Sequence, residues 1–163
     1  MTWSGLITAN DSLTITNGGT GAWNVSNTGN TLAAGKTLTV NDTNTAALNL
    51  VAWSTGAGSA IVLNSTNTGS LALNGIISGS ASVTTTGGSS TGAITFTQQN
   101  TYTGGTLVAG GILQVSGAGA TLGTGNVTVD NASSPASICR APTSTPTSEP
   151  RPVGPMPSSG SPS

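Results

Sequence analysis

At 163 residues the chain is long enough for one domain, and more than half of it is Gly, Thr, Ser and Asn, with charged residues at only 4%. Three basic and four acidic residues leave a net charge of −1, too little for a basic patch that would draw in nucleic acid or an anionic membrane. There is no His, which excludes a Ser–His–Asp or Cys–His catalytic arrangement.

Short alternating segments follow one another from the N-terminal end. In chain order the predicted strands are 13–16, 22–26, 37–40, 47–53, 60–64, 70–74, 81–85, 93–97, 106–108, 112–115 and 126–129. Leu13 and Ile15, Leu71 and Leu73, Leu113 and Val115, and Val127 and Val129 put apolar side chains on one face and Thr, Ser, Asn, Ala or Gln on the other. Gly and Asn fill the gaps and suit tight corners. No 3.6-residue period competes, and 47–53 reads as a single strand. Two strands make a predicted coil of roughly 20–25 residues, stacked about 4.8 Å from the next. The expected fold class is all-β, a parallel β-solenoid over residues 1–132. Each coil buries its apolar face only against its neighbours.

Composition changes near Ser133. All 8 prolines lie between Pro135 and Pro162, and proline cannot serve both ladders of a central strand. Residues 133–163 therefore read as a disordered Pro/Ser/Thr-rich tail. A reading-frame shift after Ser133 would explain the same break, and the chain would then be a non-functional fragment. No signal peptide is visible at Met1-Thr-Trp-Ser-Gly, and no apolar run approaches a membrane helix. If exported, the chain is expected to be a fragment or to start internally. Cys139 is the only cysteine and has no internal disulfide partner.

Leu71, Leu73, Gly75, Ile77, Ser78 and Gly79 form a Leu-x-Leu-x-Gly-x-Ile-Ser-Gly opening. Asn100, Tyr102, Gly104, Gly105 and Thr106 follow, then Val108, Gly111, Leu113, Val115, Leu122, Gly123, Gly125, Val127 and Val129. This pattern resembles the passenger-associated β-helix repeat of bacterial autotransporters. The resemblance covers about 59 residues, Leu71 to Val129, and extends to the first 70 by composition and spacing. It implies a right-handed parallel β-helix, serving as a stalk or adhesive rod exported to the cell surface or outer membrane, with host or neighbouring-cell glycans or proteins as partners. The motif residues are structural in that family, so the resemblance carries over no catalytic residue. Leu107 and Ile112 stand where the family tends to have Thr, and facing outward together they would form a small sticky patch.

The residues themselves offer little chemistry. Asp11 and Asp42 are the acids nearest to a glycosidase pair, which needs two carboxyls about 5–10 Å apart, but both read as turn residues. Lys36 is the only lysine and the only amine base for a serine. Gly18-Gly19-Thr20-Gly21 is similar to the start of a calcium-binding nonapeptide, yet Trp23 stands where Asp is wanted. The expectation is no enzyme, no cofactor and no metal; a β-helical polysaccharide-active enzyme is the rival reading. Trp3, Trp23 and Trp53 are spaced unevenly, which favours packing over a sugar-stacking strip. Tyr102 is expected at a corner with its hydroxyl in water, and Gly105 at a positive φ. Asn64 and Asn74 are expected to hydrogen-bond from coil to coil.

Overall fold

The computed structural model describes residues 1–66, 70–86, 93–130 and 136–140. Alternation of small polar and branched apolar residues, with glycine at the bends, breaks these residues into short strands. In chain order they are β1 (Thr2–Trp3), β2 (Thr8–Ala9), β3 (Leu13–Asn17), β4 (Trp23–Val25), β5 (Asn30–Leu32), β6 (Thr37–Asp42), β7 (Leu48–Leu50), β8 (Trp53–Thr55) and β9 (Ala60–Ser65). There follow β10 (Leu71–Leu73), β11 (Ile77–Gly79), β12 (Ser82–Thr86), β13 (Ala93–Phe96), β14 (Thr106–Val108), β15 (Gly111–Val115), β16 (Val127–Val129) and β17 (Ala136–Arg140). The described residues contain no helix.

Three parallel sheets wall a single core. The first face runs β1-β4-β7-β10-β13-β15-β17, the second β2-β5-β8-β11, and the third β3-β6-β9-β12-β14-β16. The chain visits the faces in turn, so each coil lies on the one before it. This is the all-β parallel β-helix that the alternation predicts. On the third face Leu13, Leu38, Ile61, Val83, Thr106 and Val127 fall in one column. Measured on this face, a coil takes between 21 and 25 residues.

The coil has three strands rather than the expected two. Apart from Trp53, which fell inside the predicted strand 47–53, the second face escaped the sequence reading, because β2, β5 and β11 are two or three residues long and each holds one inward apolar residue. Such segments are too brief to show a period. The predicted strand 47–53 is divided for the same reason. Leu48–Leu50 belongs to the first face and Trp53–Thr55 to the second, with Val51 and Ala52 at the corner between them. Gly75 of the next coil sits over that corner, its missing Cβ leaving room for the Val51–Ala52 peptide.

Inward positions stack like on like. Leu48, Leu71, Ile94 and Leu113 form one column, and none is more than 3% exposed. Burying each such side chain stabilises the fold by about 1.5–3 kcal/mol. Outward positions carry mostly Thr, Asn, Ser and Gln, with Val62, Ala72, Leu107 and Ile112 as apolar exceptions. Each coil thus owes its stability to its two neighbours.

One strand lies beyond the boundary expected at residue 132. Residues 136–140 contain no proline, and β17 pairs with β15 in parallel, Ile138 beside Leu113. The rest of the expected tail, 141–163, lies outside the described residues.

Candidate functional surface

The repeat motif builds a corner. Asn100 is 3% exposed and its amide is fully used. Its Oδ1 accepts from the Ile77 N–H at 2.8 Å, and its Nδ2 donates to the Gln98 and Thr121 carbonyls at 3.0 and 2.8 Å. One side chain so ties three coils together and closes the polar groups that a bend leaves open. Asn30 does the same two-sided job earlier in the chain. Its Oδ1 accepts from the Ile7 N–H at 3.0 Å, and its Nδ2 donates to the Asn27 and Ala52 carbonyls at 2.7 and 3.3 Å. The sequence reading missed Asn30. The signal was present, since Asn30-Thr31-Leu32 repeats the polar-polar-apolar order of Asn100-Thr101-Tyr102.

Tyr102 corrects an expectation. Its ring is fully buried and its hydroxyl is 2.7 Å from Thr106 Oγ1, not in water. Burial raises its pKa, a push that the Thr106 hydroxyl and the Gly123 backbone partly oppose. The position turns inward because the short run from Asn100 alternates on the second face, with Thr101 and Thr103 outside. Thr106, Leu113 and Val115 are buried beside it, Gly111 opens β15, and Leu122 packs at the edge of the core.

Gly104 and Gly125 are stacked. A Cβ on Gly104 would meet the Ala81 carbonyl carbon at 2.5 Å and the Ser82 nitrogen at 2.6 Å, and a Cβ on Gly125 would meet the Gly104 carbonyl carbon at 2.5 Å. Gly123 lies as closely over Tyr102. Gly105 does not have the expected positive φ; its added Cβ would lie 3.1 Å from the Asn126 carbonyl oxygen. The left-handed residue in this part of the motif is Gly111, which begins β15 after the next turn, with φ of 73°.

The acids stand apart. Asp11 is at an exposed bend and pairs with Lys36 Nζ at 2.9 Å; that hydrogen bond, then the lysine charge, lowers its pKa. Asp42 is not a turn residue. It ends β6 on an inward position and is fully buried. Its Oδ1 accepts from Asn17 Nδ2 at 3.0 Å and from the Asn44 N–H at 3.4 Å, while Oδ2 has no hydrogen-bond partner. Burial raises its pKa, against the bonds from Asn44 and Asn17. Among the described residues no three His, Cys, Asp or Glu side chains gather as a metal site.

The tryptophans do not form a strip. Trp3 is 57% exposed on the first face, Trp23 is half-buried there, and Trp53 is buried on the second face. Leu107 and Ile112 both point outward, half-buried, but on the third and first faces, so they make no common patch.

The outward amides do connect from coil to coil. Asn49 Nδ2 donates to Asn24 Oδ1 at 2.6 Å, Asn74 Nδ2 to Asn49 Oδ1 at 3.0 Å, and Thr97 Oγ1 to Asn74 Oδ1 at 3.2 Å. Asn64 Nδ2 reaches Asn41 Oδ1 at 3.5 Å on the third face. Asn64 and Asn74 thus belong to two separate ladders. The first ladder is an uncharged string of side chains across four coils, each held by the next.

No family model, no curated protein and no solved structure matches this chain.

Proposed function

We propose that the chain is a structural and adhesive segment of an autotransporter-type surface passenger, a β-helical stalk whose outer walls make contact. The observation that carries this reading is the ladder Asn24–Asn49–Asn74–Thr97. Linked amides hold their spare donors and acceptors at coil spacing on a stiff wall. A wall of that kind suits partners that are themselves uncharged and rich in hydrogen-bonding groups, such as the glycans or neutral protein surfaces of host or neighbouring cells. The resemblance of Asn100 to Val129 to the passenger-associated repeat supports the same reading, and with it a place at the cell surface.

The test is retention of the full chain, carried on beads, by intact cells and by immobilised glycans at low and high salt. Saturable binding that salt does not weaken is expected, because charge plays no part in it. Binding should fall when Asn49 is replaced by Leu, in a variant whose circular dichroism is unchanged. Absence of saturable binding, or binding that salt abolishes, would sink the adhesive reading.

A further inference from the structure

We propose that a hollow on the outer side of the third face, built around Gly105 and Leu107, binds a neutral sugar ring.

The register lays out six residues in two columns. Thr84, Leu107 and Thr128 lie side by side on successive coils. Two residues earlier in each coil, and so on the same side of the wall, stand Ser82, Gly105 and Asn126. Together they line an open hollow of about 380 Å³, at the small end of the roughly 300–1,000 Å³ that small-molecule sites occupy.

Gly105 is what opens it. Gly105 has no positive φ, and its added Cβ would meet one carbonyl oxygen at 3.1 Å, whereas a Cβ on Gly104 would overlap backbone at 2.5 Å. The backbone thus constrains Gly105 far less than its neighbour. In the same column Ala60 and Ser82 both carry a side chain, and only at Gly105 does the wall step inwards beside a long apolar residue.

The lining sets the chemistry of the occupant. Leu107 points outward between two threonines and gives an apolar floor with hydroxyls on either side. Among the described residues the side chains of Ser82, Thr84, Asn126 and Thr128 have no hydrogen-bond partner. The outward amides of the first face, by contrast, are bonded to one another. None of the six residues is charged. A charged ligand would find no counter-charge here, and a wholly apolar one would cover polar groups without replacing their water. A pyranose meets both demands. Its C–H face can lie on Leu107 while the hydroxyls at its edge reach the polar rim.

This site gives the glycan partner of the adhesive reading a place on the rod, and it rests on that reading for its biological sense. Sugar binding by the isolated chain is measured without cells, so the two fail separately. Cellobiose, lactose and N-acetylglucosamine are titrated into the isotope-labelled full chain, and backbone amide shifts are followed by nuclear magnetic resonance. Saturable shifts centred on Gly105 and Leu107 are expected with at least one of the three. Leu107→Thr and Gly105→Ser should each weaken that binding by about tenfold, with melting curves showing that the variants fold; should Gly105→Ser not fold, Leu107→Thr decides alone. Val62→Thr, the same kind of change two coils away in the Leu107 column, should leave it unaltered. No saturable shift with any of the three sugars overturns the proposal. So do shifts centred on another face, shifts equalled by glycerol at the same concentration, or equal weakening by Val62→Thr. Retention by cells without sugar shifts at Gly105 leaves the adhesive reading standing and this site refuted; sugar shifts without retention do the reverse.

Discussion

The Tyr102 hydroxyl is bonded to Thr106 Oγ1 at 2.7 Å inside the core, with both residues almost wholly out of water. Neither oxygen has solvent to turn to if the other is removed. Tyr102→Phe should therefore destabilise the chain by about 1–3 kcal/mol, the cost of a buried polar group left unsatisfied. Thr106→Val should do the same. The double variant should lose much less than the sum, because the orphan disappears with its partner. Denaturant melts of the four proteins check this, and strict additivity would show that the bond contributes nothing.

Tyr102 is the only tyrosine, so its titration is visible in absorbance. Its pKa is raised in the folded state, chiefly by burial. A raised value means that the folded state holds the phenol proton more tightly than the unfolded chain does. The stabilisation is complete below the unfolded value of about 10 and is lost as pH rises through the folded value. Phenolate absorbance should appear together with loss of β structure, and Tyr102→Phe should remove this alkaline dependence. Phenolate forming in a chain that keeps its circular dichroism would contradict the buried hydroxyl.

Asp42 has the opposite practical consequence near neutrality. Its pKa too is raised by burial, so its protonated form suits the fold. That contribution is present below the unfolded value of 3.8 and disappears as pH rises through the folded value. Asp42→Asn keeps an acceptor for Asn17 and carries no charge. It should raise the melting temperature at pH 7 by a few degrees and leave it unchanged in acid. A lower melting temperature at pH 7 would mean that the ionised carboxylate is favourable where it sits.

Gly104 and Gly105 are neighbours with different constraints. A Cβ on Gly104 overlaps the backbone of Ala81 and Ser82, which no rotamer change relieves. Gly104→Ala should cost about 1–3 kcal/mol, as overpacking does. Gly105→Ala meets one carbonyl oxygen at 3.1 Å and should cost less than half as much. Gly111→Ala, at a φ of 73°, should cost on the order of 1–2 kcal/mol. Equal losses at Gly104 and Gly105 would put the tight contact elsewhere.

Strands of four or more residues were legible before the structure, β17 excepted. In Thr37–Asp42, Ala60–Ser65 and Gly111–Val115 two or three inward apolar residues repeat at a spacing of two, which is a pattern. In β2, β5 and β11 the inward apolar residue is a single one, Ala9, Leu32 and Ile77, and one residue is no pattern. The corner amides were half legible. Asn100 stood out because Tyr102 and paired glycines follow it, whereas Asn30 has only Leu32 and Gly35 nearby. Asp42 was misplaced because Asn41-Asp42-Thr43 has turn composition, and composition outweighed the inward beat of Leu38 and Val40 that continues to Asp42.

From Ile94 to Leu113 the chain circles the core in 19 residues, and from Leu113 to Ile138 in 25, yet all three meet in register on the same face. The walls therefore set position and the corners absorb length. A corner can gain or lose several residues without shifting a strand above or below it, whereas one residue added inside a wall would turn every later side chain of that strand inside out. Variation in such a molecule has somewhere harmless to go. New loops can be grown from the corners of an old wall, each carried at its own height along the rod and independent of the rest.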